Sequence, residues 1–313
     1  MATPNDAVDG KATGIGTVSV VIPTNRGGIY LAAAVASVRD QERSVHEIIL
    51  VDDGSPPPGL AAVAGDLGVS YIRQTASGIA AARNSGVSAA TGEWIAFLDD
   101  DDVWHPSRLR LQFEALSANP EAIGSYTGGW YMDSEGRRFG ADWSGRPVTS
   151  REMLSGAGNF PRITTLLVKR TAYERAGGCV TAMEPSEDND LILRLIQAGE
   201  LAGVDHSLVG YRRHGGNVTS RTLSGRAASR RVILRQLRAA RARGDREMAS
   251  LLTSNFRTYM QHAASDNVTD LIGAIRRHEW SYAGAVAWWA MRVVPGRSLT
   301  AVRDRLSRHS AVR

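Results

Sequence analysis

Cysteine and long apolar runs are the two features that this chain most clearly lacks. Cys179 is the single cysteine among 313 residues, so no internal disulfide can form. Absence of disulfides is typical of a reducing compartment and favours the cytoplasm. No apolar run approaches the roughly 20 residues that a membrane-spanning helix needs. Residues 1–16 are polar and have no apolar signal-peptide segment, so they are predicted to be a disordered leader.

Several familiar nucleotide-binding motifs are also missing. No GxGxxG follows the first predicted strand, which argues against a dinucleotide-binding Rossmann site, and no GxxxxGK[ST] is present, which excludes a P-loop NTPase. The net charge of +5 favours anionic ligands such as nucleotides, phosphates or an acidic membrane surface. No zinc spacing, basic zipper or aromatic RNA-binding signature accompanies that charge, so no nucleic-acid partner is predicted.

Apolar strands alternate with Ala-rich helical segments in the first third of the chain. Strands are predicted at 17–23, 47–51, 69–73 and 94–98, and helices at 29–38, 78–90 and 106–116. This alternation predicts an α/β fold with a mostly parallel central sheet flanked by helices.

The composition and periodicity of the sequence change after about residue 118. Residues 124–150 are rich in glycine and aromatics and show no periodicity, whereas strands are predicted at 164–169 and 204–211 and a helix at 188–197. From residue 222 onward the chain is Arg-rich with apolar residues at helical spacing, which predicts amphipathic helices.

Four consecutive aspartates, Asp99 to Asp102, follow the predicted strand at 94–98. Their mutual repulsion would be relieved by a divalent cation such as Mg²⁺ or Mn²⁺, which prefers oxygen ligands. Asp52 and Asp53 end the second strand, and the carboxyl ends of parallel strands share one sheet edge, so both acid groups are expected to face one crevice. The alternative for the run is a solvated acidic loop.

The order of these motifs resembles family 2 glycosyltransferases, which are inverting enzymes with a GT-A fold. The matching segments are VSVVIPTNR at 18–26, AVASVRDQ at 34–41, EIILVDDGS at 47–55, GIAAARNSGVSAATGEWIAFLDDDDVWHPSRL at 78–109, TTLLVKR at 164–170, ERAGG at 174–178, SEDNDLILRL at 186–195 and YRRHGG at 211–216. They follow the family's order between about residues 18 and 220. The resemblance implies the GT-A type nucleotide-diphosphosugar transferase fold, followed here by a C-terminal helical extension.

The resemblance also implies a division of the chain and a reaction. After the leader at 1–16, residues 17–120 would bind the nucleotide sugar, residues 121–220 would bind the acceptor and supply the catalytic base, and residues 221–313 would form a basic helical extension. The implied reaction is an inverting, metal-dependent transfer from a nucleotide-diphosphate sugar, with UDP as the first choice, to an acceptor hydroxyl. The acceptor could be a glycan, a lipid-linked saccharide or a small molecule.

Donor-binding roles follow from the same resemblance. Thr24 and Asp53 would contact the base and ribose, with Pro23 shaping the turn. Asp52 either assists them or caps the turn through its side chain. Arg83 would hold the nucleotide or its phosphates, and the alternative is a surface arginine on a helix.

The aspartate run matches the family's DxD pattern. Asp101 would contact Mn²⁺ or Mg²⁺ directly, with Asp99 and Asp100 near the ribose or as further metal contacts. Asp102 is expected to be the most dispensable of the four. His214 is either a further metal ligand, a diphosphate contact or an ordinary loop histidine. A bound cation would offset the charge that develops on the diphosphate leaving group.

The acidic pair Glu187 and Asp188 matches the position where the family carries its catalytic carboxylate. Asp188 would be the general base that takes the proton from the acceptor hydroxyl, with Ser186 as the predicted N-cap of its helix. Asp190 is a second base candidate, although it could instead pair with Arg194 at i+4.

The C-terminal extension matches none of these motifs. Trp280, Trp288, Trp289 and Arg292 could lie on a membrane interface, or they could belong to a packed helix with a wet arginine face. The first alternative predicts peripheral contact with the inner face of the membrane.

Two other functions remain open at this stage. The aspartate run contains a DxDxV, as in phosphotransferases and phosphatases with an aspartyl nucleophile, although those enzymes carry it on their first strand. Asp52 and Asp53 could instead bind Mg²⁺ in a non-enzymatic phospho-receiver module, although such an acidic pair would be expected to end the first strand.

Overall fold

The computed structural model describes residues 16–158, 160–214 and 222–293. The leader predicted at 1–16 lies almost wholly outside these ranges. In the first part of the chain the strands are β1 (Val18–Thr24), β2 (Glu47–Asp53), β3 (Ser70–Gln74), β4 (Trp94–Phe97) and β5 (Val103–Trp104), and the helices are α1 (Leu31–Arg39), α2 (Ala61–Asp66), α3 (Ile79–Ala89) and α4 (Arg108–Ala118). The predicted alternation of strands and helices is therefore confirmed.

The second part adds four strands and several helices. The strands are β6 (Gly124–Met132), β7 (Arg138–Trp143), β8 (Leu167–Lys169) and β9 (Leu201–Arg212). The helices are α5 (Ser150–Ser155), α6 (Arg170–Arg175), α7 (Glu187–Ala198), α8 (Thr222–Ala242), α9 (Arg246–Arg276) and α10 (Trp280–Val293). The helical character predicted from residue 222 is confirmed for the described part of that segment.

Within the described ranges, all strands join one nine-stranded sheet in the order β3-β2-β1-β4-β8-β6-β9-β5, with β7 paired to β6. The strands β1 to β4 are mutually parallel where they pair, whereas β8 is antiparallel to both β4 and β6. Two antiparallel steps restore the direction, so β6 and its parallel partner β9 run the same way as β4. The carboxyl ends of β1, β2, β4, β6 and β9 therefore lie along one edge of the sheet, where open α/β sheets bind ligands.

The sheet is covered on both faces, as its continuous apolar strands predict. Phe97 at the end of β4 packs with the core on the side of α3 and α7, and the next residue, Leu98, packs with the core on the side of α1 and α4. Both side chains are fully buried, and each such burial stabilises the fold by roughly 1.5–3 kcal/mol. The aspartate run thus begins from a strand end that is anchored on both sides.

The region that sequence periodicity did not resolve contains β6 and β7. Glycine interrupts the pattern of β6 because neighbouring backbone leaves no room for side chains. A Cβ on Gly128 would lie 2.3 Å from the Trp143 carbonyl oxygen, and one on Gly129 would lie 2.3 Å from the Val209 carbonyl oxygen. The register of β6 against β9 shifts at the same point. The predicted strand at 164–169 is shorter than expected, because Ile163–Thr165 forms a 3₁₀ turn before β8.

The helices α8 and α9 pack against each other, and they contact the preceding part of the chain through α5 and α7. A small core of Met260, Ala263, Ala264 and Trp289 joins α9 to α10. None of the helices in the described ranges is both long and apolar enough to cross a bilayer.

Candidate active site

The carboxyl ends of β1, β2, β4, β6 and β9 form what we call the active edge of the sheet. The acid loop, Asp99 to Asp102, follows Leu98 at this edge, and each of its carboxylates has a different partner. Asp100 accepts a 2.5 Å hydrogen bond from the Thr24 hydroxyl at the end of β1. Burial raises the pKa of Asp100 to about 6, and repulsion from Asp101 and Asp99 adds to this effect. The predicted donor residues Thr24 and Asp100 are thus in direct contact.

Asp101 lies against His214, which follows β9 in the chain. Asp101 Oδ2 and His214 Nε2 are 2.9 Å apart. Burial and the charge of Asp99 raise the pKa of Asp101, and His214 opposes this shift. The His214 ring in turn lies 5.4 Å from the Tyr30 ring, centroid to centroid. The contact between Asp101 and His214 brings together two of the three predicted metal ligands, which are 113 residues apart in the sequence.

Asp102 is completely buried, and it has a role that the sequence did not predict. Its Oδ1 accepts a 3.0 Å hydrogen bond from the Arg212 backbone N–H, and the Arg212 side chain donates to the Asp101 carbonyl. Thr164 lies beside the Asp102 carboxyl, although Asp102 Oδ2 and Thr164 Oγ1 make no hydrogen bond of standard geometry. Asp102 therefore joins the acid loop to the end of β9.

Arg83 on α3 is a buried bridge between two acids. Its Nη1 donates to Glu187 Oε1 at 2.7 Å and its Nη2 donates to Asp99 Oδ1 at 3.0 Å. The arginine and Glu187 are 2% and 4% exposed, so the alternative of a surface helix arginine is wrong. Because Arg83 holds both acids, it connects the acid loop to the start of α7.

Asp188 occupies the first turn of α7, beside this ion pair. It is partly buried, and its Oδ1 accepts a 2.7 Å hydrogen bond from the Asn189 backbone N–H. Burial, together with repulsion from Glu187, raises the pKa of Asp188 to about 6, although Arg83 acts in the opposite direction. A carboxylate with such a pKa is suited to accepting a proton near neutral pH.

Near Asp188, one sequence prediction needs correction and one pair of alternatives is distinguished. Ser186 stands at the N-cap position of α7, but its side chain makes no capping hydrogen bond. Asp190 is fully buried and accepts hydrogen bonds from Arg194, Arg235 and Gln236. Asp190 thus pairs with Arg194 as one alternative predicted, and its other contacts attach α8 to α7.

The two acids at the end of β2 are both held by nearby groups. Asp53 accepts hydrogen bonds from the Ser77 and Gly78 backbone N–H groups at 2.8 and 2.9 Å, in the turn that leads into α3. Asp52 accepts from the Ser55 backbone N–H at 2.7 Å and from the Tyr71 hydroxyl at 2.7 Å. Asp52 therefore caps the turn that follows β2 through its hydrogen bond with Ser55, and its side chain is completely buried. Pro23 and Thr24 lie beside it on the neighbouring strand β1.

Two residues at the edge, Tyr30 and Glu184, were missed by sequence reasoning. The Tyr30 ring lies under the Arg212 guanidinium, with 4.3 Å between Arg212 Cζ and the ring centroid. Glu184 accepts a 3.0 Å hydrogen bond from the Ala80 backbone N–H at the start of α3. Nothing in the local sequence marks these contacts, because each joins segments that are distant in the chain.

Only two of the three predicted metal ligands lie close together. Across the described parts of the chain, no three His, Cys, Asp or Glu side chains converge as a ready-made metal site. Asp101 and His214 are in contact, whereas Asp99 is directed to Arg83. Mg²⁺ commonly uses only one or two protein ligands and completes its shell with water and substrate phosphates. Asp101 and His214 therefore fit a cation that is shared with a diphosphate.

Comparison with known proteins agrees with this architecture. The chain is 28% identical over 182 residues to an uncharacterized glycosyltransferase of Haemophilus influenzae, covering 58% of this chain and 62% of that protein. It is 30% identical over 217 residues to an uncharacterized glycosyltransferase of Nostoc, covering 64% of this chain and 66% of the relative. The chain thus spans a little under two thirds of the length of these relatives.

Solved structures show the same fold at low sequence identity. The crystal structure of Staphylococcus aureus TarS 1-349 in complex with UDP-GlcNAc has a TM-score of 0.59 and 14% identity, with 88% of this chain and 92% of that chain covered. A further crystal structure of TarS 1-349 has a TM-score of 0.58 over nearly the same share of both chains. The fold is therefore of the GT-A class, as the sequence predicted.

The family model described as Glycosyl transferase family 2 matches residues 19–170. This segment carries β1 to β4, the acid loop and Arg83. Over this segment the chain is therefore similar to glycosyl transferase family 2.

Proposed function

We propose that this protein transfers a sugar from a nucleotide-diphosphate donor, with UDP as the first choice, to an acceptor hydroxyl with inversion at the anomeric carbon. The observation that carries the proposal is that Thr24, Asp53 and the acid loop share one sheet edge, and that Arg83 joins this loop to Glu187, the neighbour of Asp188. TarS 1-349, which has a similar fold, binds UDP-GlcNAc in its crystal structure, and this supports a UDP-sugar donor here. The family match favours this function over the phosphotransferase and receiver alternatives.

In the proposed site, the donor lies along the edge between β2 and β4. Thr24, Asp53 and Asp100 face the base and ribose, and Pro23 fixes the backbone before Thr24. Asp101 and His214 would hold Mn²⁺ or Mg²⁺, which offsets the charge on the departing diphosphate. Asp99 is held by Arg83 and so has a positioning role.

Asp188 removes the proton from the acceptor hydroxyl as that oxygen attacks the anomeric carbon. The attack comes from the face opposite the diphosphate, so a single displacement inverts the stereochemistry. Glu187 does not compete for this proton because its carboxylate is paired with Arg83. The pair of Arg83 and Glu187 instead holds the first turn of α7 beside the donor.

Donor binding tests this proposal most directly. In calorimetric titrations UDP should bind in the presence of Mn²⁺ or Mg²⁺, more tightly than GDP or dTDP, and more weakly with a chelator. His214→Ala should weaken metal-supported UDP binding by at least the roughly 10–100-fold that loss of an outer-shell partner costs a metal site. His206→Ala, which removes an exposed histidine on β9, the strand that precedes His214, should change nothing.

Each arm of that experiment has a contradicting result. UDP affinity that is the same with and without a chelator would exclude the metal role. Failure of every nucleoside diphosphate to bind would exclude the donor class. Hydrolysis of an aryl phosphate, or stable phosphorylation of an aspartate, would favour one of the two alternative functions.

The pH dependence of kcat/KM should report Asp188. As the base, Asp188 must be ionised, and its pKa is raised to about 6 by burial and Glu187, with Asp99 acting in the same direction and Arg83 against it. Activity should therefore fall about tenfold per unit as the pH drops below about 6, and level off above it. Melting temperatures at each pH separate this limb from acid unfolding, and a profile that stays flat through pH 6 in a stable protein would argue against Asp188 as the base.

We also propose peripheral membrane contact through α9 and α10. Trp280 and Trp288 lie on the outer face of α10 at 64% and 56% exposure, and Ile275 of α9 is 44% exposed nearby in the chain. Residues 222–293 contain twelve arginines, no lysine and five acids. The excess of positive charge favours binding of this segment to an anionic membrane surface. Buried Trp289 belongs instead to the packed core between α9 and α10.

Vesicle sedimentation tests this contact. Phosphatidylserine-containing vesicles should bind the protein more strongly than neutral ones, and each of Trp280→Ala and Trp288→Ala should lower the partition coefficient about tenfold. Ile29→Ala, which removes an apolar side chain 87% exposed on the donor half, is the matched control. Equal binding by all variants would leave the tryptophans without a membrane role.

A further inference from the structure

A cluster of aromatic rings and arginines lies on and beside β6, β7 and β9. In the sheet, these strands are separated by β4 and β8 from β1 and β2, which carry Thr24 and Asp53. We call it the aromatic–arginine cluster. Its members come from β6, β7, β9 and the segments beside them: Tyr131, Phe139, Trp143, Arg162, Tyr211 and Arg213. Neither the family match over residues 19–170 nor the reaction described above assigns a role to any of these six residues.

The rings of the cluster contact one another. The Tyr131 ring centroid is 5.2 Å from that of Trp143, 6.0 Å from that of Phe139 and 6.2 Å from that of Tyr211. Phe139 is 42% exposed on β7, a strand that is exposed along most of its length. The cluster therefore presents aromatic surface to solvent instead of closing over it.

Two guanidinium groups lie against these rings. Arg162 Cζ is 4.2 Å from the Trp143 ring centroid and 5.0 Å from that of Tyr211, and its Nη2 donates to the Tyr131 hydroxyl at 2.6 Å. Arg213 Cζ is 4.8 Å from the Tyr131 ring centroid. Cation–π contacts of this kind orient the guanidinium groups without neutralising their charge.

The charge of the cluster is not balanced by acids. Among the described residues, no carboxylate lies within ion-pair distance of Arg162 or Arg213, although the structure contains many arginine–carboxylate pairs. Asp133, on the same hairpin, is paired with Arg137. An oriented, partly desolvated guanidinium without a carboxylate is suited to binding an anionic group of a ligand.

The position of the cluster places it beside the acid loop. Tyr131 and Tyr211 lie at the carboxyl ends of β6 and β9, which share the active edge with β4. Tyr211 directly precedes Arg212, whose N–H binds Asp102, and Arg162 lies two residues before Thr164, which is beside Asp102. A molecule seated on the cluster would therefore reach the region where the acceptor hydroxyl must lie.

We propose that the aromatic–arginine cluster binds the acceptor, and that the acceptor is a saccharide carrying an anionic group. A sugar ring would stack on the exposed aromatic surface of Phe139 and Trp143, and its phosphate or carboxylate would be held by Arg162 and Arg213. This inference rests on the proposed function, because it assigns the acceptor of the same reaction. The chemistry of the site is shared by phosphorylated and carboxylated sugars.

The test compares three probes by calorimetry: neutral maltotetraose, tetragalacturonate and a phosphorylated mannotetraose. At least one anionic probe should bind about tenfold more tightly than the neutral one, with an advantage that falls as salt is raised. The better anionic probe identifies the source of the charge. Arg162→Gln and Arg213→Gln should each remove most of the advantage, and Phe139→Ala should weaken all three probes. Arg137→Gln, which changes an arginine on the same hairpin that is already paired with acids, should retain it.

The outcomes separate this inference from the proposed function. Equal binding of neutral and anionic probes, or an equal loss in Arg137→Gln and Arg162→Gln, would overturn the inference. If UDP binds and no saccharide does, the inference fails while the donor assignment stands. If an anionic saccharide binds and no nucleotide does, the cluster is a saccharide site and the proposed function fails. Because Arg213 is exposed, its variant is expected to fold even if Arg162→Gln does not.

Discussion

Asp188→Asn should lower the rate of sugar transfer by about 10²–10⁴-fold, the range that a positioned general base contributes. Asparagine has the same shape and keeps an oxygen for the Asn189 N–H, which donates to Asp188 at 2.7 Å, but it cannot accept a proton. Affinity for the UDP-sugar should change little, because Asp188 faces the acceptor in the proposed reaction. Single-turnover transfer and calorimetric titration of the donor measure the two quantities separately.

The control for this variant is another carboxylate converted to an amide. Asp266 is exposed on α9, so Asp266→Asn makes the same chemical change far along the chain and should leave transfer intact. If Asp188→Asn transferred sugar at the normal rate, Asp188 would not be the base. If it lost donor affinity as severely as rate, Asp188 would be a donor contact, and the acidic limb of the pH profile would need another explanation.

Much of the fold could be predicted because its signals are local. Runs such as VSVVIP and EIILV combine β-branched residues with burial on both faces, so they form central strands in almost any packing. The strand β6 could not be predicted in this way. Its glycines are required because the carbonyl groups of Trp143 and Val209, on other strands, leave no room for a Cβ. The local sequence pattern does not indicate such neighbours.

The candidate site likewise has features that the local sequence predicts and features that it does not. That Asp53 and the acid loop share an edge follows from parallel strand direction alone, and the structure places them there. The partners of the acid-loop carboxylates could not be predicted, because they come from remote segments. Asp102 shows this most clearly: the sequence made it the most dispensable aspartate, yet it is completely buried and holds the end of β9 through Arg212.

Arg83→Met should lower the free energy of unfolding by about 3–5 kcal/mol, the usual cost of removing one partner from a buried ion pair. Methionine fills similar volume, so packing around α3 is largely kept and the change isolates the charge. Glu187 would be left buried without a counter-charge, and its Oε2 already lacks a hydrogen-bond partner. Urea unfolding of the purified variant measures the difference.

The origin of that loss is tested by a second substitution. Glu187→Leu added to Arg83→Met removes the stranded carboxylate, so the double variant should regain part of the lost stability, as buried pairs replaced by apolar residues often do. Arg110→Met, which breaks an exposed pair with Glu42 and Glu114, should leave stability nearly unchanged. If the double variant were no more stable than Arg83→Met, the cost would lie in packing. Arg83 would then stabilise the active edge through the volume of its side chain, and the position of Asp188 would not depend on the charge of Arg83.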